Sequence, residues 1–202
     1  MSLSIYQLKP AFQRLLRPLV GALAGAGVTP NQLTVATALV MLAYGAALAA
    51  WPQARGLWLG LVAVMPVRMA LNALDGLLAR HTGSQTRLGA VLNEVCDVAA
   101  DLALYLPVAG LAGVHAPLAV LAAAGAALVE QAGLAALAAG LPRRFDGPMG
   151  KSDRAFAYAV LGLLAGLGAP AAWIDGLLAL VLALLAWTVV NRLRGLSGPR
   201  TP

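Results

Sequence analysis

Apolar residues fill this chain in long continuous runs. An α-helix needs about 20 apolar residues to cross the hydrocarbon core of a bilayer, and six runs approach or exceed that length. They predict spans at residues 29–51, 57–80, 87–110, 116–141, 152–169 and 171–193. No stretch alternates apolar and polar residues as a half-buried β-strand does. The predicted fold is therefore an all-α, polytopic membrane protein with six transmembrane helices.

The first 26 residues follow a different pattern, in which basic side chains interrupt the apolar ones. The apolar residues recur at helical spacing and are Ile5, Leu8, Phe12, Leu15 and Leu19. This pattern predicts an amphipathic helix that lies in the membrane interface. A secretory signal is the alternative, but Arg14 and Arg17 break the apolar region that a signal needs. We expect three parts: the interfacial helix (1–26), a six-helix transmembrane domain (27–195) and a short cytoplasmic tail (196–202).

Composition and charge agree with a membrane location. The mean hydropathy is +0.81 and only 11% of residues are charged, which excludes an ordinary soluble domain. If the N-terminus is cytoplasmic, twelve of the fourteen Lys and Arg residues fall on the cytoplasmic side of the six spans. We therefore expect a bacterial inner membrane protein with both termini cytoplasmic. The net charge of +6 reflects this topology and contact with anionic lipids, and gives no reason to expect nucleic acid.

Two polar stripes interrupt the second and third predicted spans. The first stripe has positions three and four residues apart and consists of Asn72, Asp75, Gly76, Ala79 and Arg80. The second has positions four residues apart and consists of Gly89, Asn93, Asp97 and Asp101. Such spacing places each stripe on one helix face. The short loop "HTGSQT" joins the two helices, so we expect the stripes to face each other near the cytoplasmic surface.

The chemistry of the stripes indicates a metal site. Oxygen ligands from two helices, without cysteine ligands or clustered histidine, suit a hard divalent cation such as Mg²⁺ or Mn²⁺. The alternative is helix packing, since small and polar residues at this spacing also join membrane helices. Packing alone gives no reason for three aspartates beside Arg80. The lone Cys96 excludes an internal disulfide framework.

The same residues resemble the signature of the CDP-alcohol phosphotransferase family. That signature is D-x2-D-G-x2-A-R-x8-G-x3-D-x3-D, and the chain matches it from "DGLLAR" at Asp75–Arg80 through Gly89 to Asp97. The six spans, the preceding amphipathic helix and the "TPNQLT" opening of the first span are also similar to the family. The match covers only 26 residues, but its spacing is tightly constrained.

The resemblance implies an enzyme of phospholipid biosynthesis and a role for each matched residue. Such enzymes transfer a substituted phosphate from a CDP-linked donor, commonly CDP-diacylglycerol, to an alcohol and release CMP. By analogy, Asp97 would be the catalytic base and also a metal ligand, together with Asp75 and the positions of Asn72 and Asn93. Nucleotide binding would fall to Gly76, Ala79, Arg80 and Gly89. Related enzymes are homodimers, so we expect a homodimer in contact with membrane lipids.

Two departures from the signature complicate the metal site. Asn72 and Asn93 stand where the family has aspartate, and each change removes one negative charge. Asp101 and Glu94 are candidate substitute ligands. Asp101, one turn beyond Asp97 on the same stripe, is the expected one, because Glu94 points about 100° away on an ideal helix. Two outcomes follow: a working enzyme with one metal or a rearranged pair, or a non-catalytic paralogue that binds nucleotide or lipid. A small transporter is a more distant alternative, because the charged residues crowd one membrane edge and the halves show no repeat.

A basic loop marks the expected acceptor site. The stretch "RRFDGPMGKSDR" ends at the start of the fifth predicted span, where Lys151 and Arg154 can turn inward. We expect these two residues to bind the acceptor alcohol, and such groups would suit a phosphorylated one such as glycerol 3-phosphate or an inositol phosphate. An unphosphorylated alcohol is an equal alternative. Arg143 and Arg144 are equally well explained as cytoplasmic topology charges.

Overall fold

The computed structural model describes residues 8–194, with side chains from residue 14 onward. Within that range the chain forms seven α-helices, one 3₁₀ helix and no strand, which confirms the all-α prediction. The α-helices are α1 (Leu8–Gly25), α2 (Pro30–Ala50), α3 (Arg55–Thr82), α4 (Arg87–Tyr105), α5 (Ala116–Ala138), α6 (Lys151–Leu167) and α7 (Ala171–Arg194). The 3₁₀ helix, Leu106–Gly110, continues directly from α4.

Four of the helices, α2, α3, α5 and α7, are long and apolar enough to cross a membrane. The other two predicted spans are helical but differ from these four. α4 has four charged residues in its 19, and α6 has 17 residues, a length of roughly 26 Å against a hydrocarbon core of about 30 Å. Membrane crossing by α4 and α6 therefore stays a prediction.

Helix α1 lies against α3. Leu16 and Val20 are buried with Leu74 and Leu78 in a small apolar cluster, while Leu15 and Leu19 are exposed. A location in the membrane interface stays a prediction. Ile5 and the tail at 196–202 lie outside the described residues.

Local capping fixes where the site helices begin and end. Thr29 and Gln32 form a reciprocal capping box at the start of α2. α3 ends at Gly83, whose φ of +64° is the left-handed conformation that favours glycine. Thr86 caps the start of α4, and its hydroxyl accepts a hydrogen bond from the Gly89 amide at 3.0 Å. The connection between α3 and α4 is consequently short, and the two polar stripes lie close together.

Small residues allow the helices to cross closely. α3 packs on α6, α2 on α4, and α5 on α7. A Cβ added to Gly162 of α6 would lie only 2.7 Å from the Trp58 carbonyl oxygen of α3, and one on Gly166 would meet Leu59 at a similar distance. The small-residue stretch "GLLAGLG" of α6 (162–168) therefore packs within the chain.

The crossing of α3 and α6 makes a stability prediction. Gly162→Ala should lower the free energy of unfolding by about 1–3 kcal/mol, because the backbone of α3 leaves no room for the methyl group. Gly176→Ala in α7 is the matched control, since its added Cβ would meet nothing within 4 Å. Thermal unfolding of the purified protein in detergent measures both. Equal melting temperatures for the two variants would contradict the close crossing.

Candidate active site

The two polar stripes face each other in the structure. The Asn72 amide of α3 donates a hydrogen bond to Oδ1 of Asp97 on α4 at 2.6 Å. One turn later on α3, Oδ2 of Asp75 accepts a hydrogen bond from the Thr34 hydroxyl of α2 at 2.8 Å. Asp75 and Asp97 are both buried. Three helices therefore bring an acidic pair and a carboxamide to one place.

The oxygen atoms of this group fit a hard divalent cation. Oδ1 of Asn93 is buried and has no hydrogen-bond partner among the described residues, as expected of an atom that binds a ligand. Carboxylate and amide oxygens are the ligands that Mg²⁺ and Mn²⁺ prefer. No three His, Cys, Asp or Glu side chains in residues 8–194 are grouped as ligands, consistent with carboxamides at positions 72 and 93.

Lys151 approaches Asp97 from the opposite side. It is the first residue of α6, and the preceding turn is fixed by the Gly150 amide, which donates to Oδ2 of Asp153 at 3.0 Å. Nζ of Lys151 donates to Oδ2 of Asp97 at 2.5 Å and lies 3.8 Å from Glu94. Asp97 therefore receives a hydrogen bond on each carboxylate oxygen, one from Asn72 and one from Lys151.

A buried ion-pair network lies beneath Asp97. Arg68 of α3 contacts Asp101 of α4 at 2.6 Å, and Arg154 of α6 contacts the other Asp101 oxygen at 3.1 Å. Arg154 also contacts Glu130 of α5 at 2.7 Å. Arg68 and Arg154 are 1% and 0% exposed, so these charges depend on one another for compensation. The network joins four helices.

Arg68 also reaches the backbone of Asp97. Its Nη2 donates to the Asp97 carbonyl oxygen at 3.1 Å. This contact fixes the helical turn that carries Asp97, independently of the contacts to its carboxylate. Arg68 is therefore a positioning residue for Asp97.

The loop between α5 and α6 contributes a further arginine to this ion-pair network. Arg143 in this loop pairs with Glu94 and, at 2.7 Å, with Glu130. Partial burial lowers the pKa of the Arg143 guanidinium, but the two carboxylates outweigh this effect and hold the pKa above its ordinary value. From α7, Arg192 donates to the Val129 carbonyl at 2.5 Å and to the Asp146 carbonyl at 3.3 Å, which anchors the loop.

The expected nucleotide-binding residues lie at the open end of the same stripes. Arg80 is exposed, and its guanidinium extends back over Gly76, where an added Cβ would meet Nη1 at 3.6 Å. Ala79 is half-buried beside them. A Cβ on Gly89 would lie 2.8 Å from the Asn31 side chain, so a larger residue would crowd this corner.

The structure places two of the predicted site residues in other surroundings than expected. The sequence predicts Asp101 as a substitute metal ligand, but its oxygens contact Arg68 and Arg154 instead. It predicts Arg154 as a residue that binds the acceptor, yet Arg154 is fully buried and paired. Sequence reasoning missed Arg68, although Arg68 lies four residues before Asn72 and extends the same helix stripe.

Comparison with known proteins agrees with this arrangement. The family model described as CDP-alcohol phosphatidyltransferase matches residues 27–190. The inner membrane protein YnbA of Escherichia coli K12 is 43% identical over 195 residues, which cover 95% of this chain and 96% of that protein. The phosphatidylinositol phosphate synthase of Corynebacterium glutamicum is 32% identical over 197 residues, covering 95% and 87%.

Solved structures share the fold. A crystal structure of Mycobacterium tuberculosis phosphatidylinositol phosphate synthase with CDP-DAG bound matches with a TM-score of 0.77 at 20% identity, covering 94% of this chain and 100% of that one. The same enzyme in complex with manganese and citrate matches with a TM-score of 0.73 at 22% identity, covering 91% and 90%. The family model covers most of the chain and the E. coli relative almost all of it, so this chain belongs to the CDP-alcohol phosphatidyltransferase family.

Proposed function

We propose that this protein transfers a phosphatidyl group from a CDP-linked lipid, CDP-diacylglycerol, to an alcohol and releases CMP. The observation that carries the proposal is the convergence of Asn72, Asp75 and Asp97, the signature positions of the family, at one buried site. The solved neighbour with CDP-DAG bound and the relatives named phosphatidylinositol phosphate synthases support a CDP-linked lipid donor.

Mg²⁺ or Mn²⁺ would be held by the carboxylates of Asp75 and Asp97 with the amide oxygens of Asn72 and Asn93. The unpartnered Asn93 oxygen and the neighbour crystallised with manganese support this assignment. When bound, the cation supplies positive charge to the donor's diphosphate. We assign Asp101 to the ion-pair network and not to the metal, because it lies outside the family's signature positions and its oxygens contact the fully buried guanidiniums of Arg68 and Arg154.

The nucleotide would lie over the small residues Gly76, Ala79 and Gly89, which allow it to approach the backbone. Arg80 is exposed above Gly76, and it forms no ion pair with the described residues. Its guanidinium suits the donor's phosphates, because it can donate two parallel hydrogen bonds.

Asp97 would act as the base. It accepts the proton of the acceptor hydroxyl, whose oxygen forms a bond to the lipid-bearing phosphorus of the donor. The bond from that phosphorus to the oxygen of the CMP moiety breaks, and CMP leaves with the electron pair. Lys151 and Asn72 hold the two carboxylate oxygens in place, and Arg68 holds the backbone.

The proposed setting is the bacterial inner membrane, with six spans and with both termini and the active site cytoplasmic. The clustering of basic residues and the relative named an inner membrane protein support it. In this arrangement residues 1–26 lie in the interface, 27–195 form the catalytic domain and 196–202 the tail. A homodimer would use a surface other than Gly162 and Gly166, which already face α3.

One observation favours a second candidate, a non-catalytic paralogue that binds the nucleotide or lipid. The carboxamides at positions 72 and 93 leave the metal site with only two carboxylates, which weakens its attraction for cations. A paralogue of this kind would bind CDP-diacylglycerol without releasing CMP.

Asp97→Asn tests the base directly. CMP release from CDP-diacylglycerol with Mg²⁺ and an alcohol should fall at least about 10²-fold, because the amide cannot accept the acceptor's proton. Asp146→Asn is the control, since it removes an equal charge from an exposed side chain that pairs only with Arg144 among the described residues. Acceptor-dependent CMP release that survives in Asp97→Asn would remove Asp97 as the base.

Metal dependence separates Asp75 from Asp101. Asp75→Asn should raise the Mn²⁺ concentration needed for half-maximal CMP release. Asp101→Asn should leave it unchanged but lower the free energy of unfolding by roughly 3 kcal/mol, because two buried guanidiniums lose their carboxylate. Mn²⁺ titration of residual activity and thermal unfolding provide the two measurements. A raised Mn²⁺ requirement in Asp101→Asn would return Asp101 to the metal site.

A further inference from the structure

The carboxylate of Asp97 has a cation of the chain itself at contact distance. Nζ of Lys151 lies 2.5 Å from Oδ2 of Asp97, and Nη2 of Arg68 lies 3.9 Å from Oδ1. Arg68 is closer to Asp101, at 2.6 Å, so its charge is compensated there. For Lys151 the nearest carboxylate is Asp97, with Glu94 farther away at 3.8 Å. One of the two Asp97 oxygens is therefore paired with an ammonium group.

The other Asp97 oxygen is paired with a carboxamide, at a position where the family signature has aspartate. Nδ2 of Asn72 donates to Oδ1 of Asp97 at 2.6 Å. Two carboxylates at this distance would repel each other unless a cation lay between them. Asn72 needs no such cation, because its N–H group donates directly to the carboxylate. The asparagine thus removes a negative charge and also the need for a metal at this contact.

The remaining oxygen atoms suffice for one divalent cation. Asp75 is buried, and its Oδ2 accepts a hydrogen bond from the Thr34 hydroxyl at 2.8 Å. Asp75 forms no ion pair within residues 8–194. Oδ1 of Asn93 is buried and without a hydrogen-bond partner there. These two side chains, with the lone pairs that Asp97 retains, are hard oxygen ligands for a single Mg²⁺ or Mn²⁺.

The charges of these side chains also favour one cation over two. Asp75 and Asp97 bring two negative charges to the signature positions, and Lys151 compensates one of them. Before the donor binds, one divalent cation would leave this group with a single positive charge in excess. A second divalent cation would leave an excess of three, which a buried site tolerates poorly.

The surrounding charges do not offset such an excess. Three other carboxylates of the region each contact an arginine, and they are Glu94, Asp101 and Glu130. Arg192 of α7 is buried and donates to two backbone carbonyl oxygens, so its charge meets no carboxylate within the described part of the chain. The surroundings of the site therefore add positive charge and no spare negative charge.

From these contacts we infer that the site binds a single divalent cation and that the Lys151 ammonium takes the place of a second one at Asp97. The inference rests on the proposed function and specifies how the metal site of the same enzyme is built. Two carboxamides and an ammonium group replace two carboxylates and one metal ion. Lys151 acts through Asp97 and is therefore a positioning residue.

Counting bound Mn²⁺ tests the inference with the full chain in detergent. Each protein is dialysed against Mn²⁺, and the metal bound per chain is measured by mass spectrometry. The wild type should bind one Mn²⁺, and Asp75→Asn should bind it at least about tenfold more weakly, because the site loses a carboxylate ligand. Lys151→Met, which removes the charge at similar size, should bind a second Mn²⁺, because Asp97 then lacks its ammonium partner.

Electron paramagnetic resonance of the Mn²⁺-loaded chain provides a second readout. Two metal ions in one centre lie about 3.5–4 Å apart and are magnetically coupled, whereas a single Mn²⁺ is not. The wild type should give an uncoupled spectrum and Lys151→Met a coupled one. Lys151→Arg retains the positive charge and should behave as the wild type. Arg144→Met is the control, since it removes a cation that pairs with Asp146 in the neighbouring loop, and it should leave the single uncoupled ion unchanged.

The wild-type measurement alone can overturn the inference, so the test does not depend on the folding of any variant. Two coupled Mn²⁺ ions in the wild type would overturn it, and so would the absence of saturable Mn²⁺ binding. A single ion in Lys151→Met, or a second ion in Lys151→Arg, would show that the ammonium does not replace a metal. Because Mn²⁺ is counted without substrate, a failure to release CMP with every acceptor would contradict the proposed function and leave this test to be decided separately.

Discussion

The structure depends on the cost of placing charges inside an apolar helical bundle. An ionised side chain removed from water is tolerated only with a partner of opposite charge and good geometry. Asp101 meets this condition with Arg68 and Arg154, and Glu130 meets it with Arg154 and Arg143. Because the partners lie on α3, α4, α5, α6 and the loop before α6, the requirement for compensation fixes the relative positions of these elements.

Close helix crossings make the pairing possible. Gly162 and Gly166 let α6 approach α3, and Gly45 lets α2 approach the Ala103 backbone of α4. With α6 held against α3, the first residue of α6, Lys151, reaches Asp97 on α4. Glycines with no chemical function therefore determine the distance between the proposed base and its ammonium partner. Packing and electrostatics act on the same helices, so a change in one is expected to alter the other.

The sequence predicted the helices and the meeting of two stripes because both follow from short-range periodicity. Asn72 and Asp97 do lie together, joined by the short connection after Gly83. The sequence did not predict that Arg154 would be buried against Asp101 and Glu130. These partners lie 53 and 24 residues away, too far for helical periodicity to indicate a contact. Arg68 could have been found by extending the stripe of Asn72 back by one turn. The use of Asp101 as an ion-pair partner depended on those distant arginines and required the structure.

The cap at the start of α4 has a consequence for how this family of sequences can vary in length. The Thr86 hydroxyl accepts a hydrogen bond from the Gly89 amide and so fixes the first turn of α4. Residues before Thr86 are part of the connection, whereas the positions of residues after it are set by the helix. An inserted residue before the cap lengthens the turn and leaves Asn93 and Asp97 oriented as they are. The same insertion after the cap rotates both side chains by about 100° around the helix axis, away from α3. In natural relatives, insertions and deletions should therefore be found between Gly83 and Thr86 and be rare between Gly89 and Asp101.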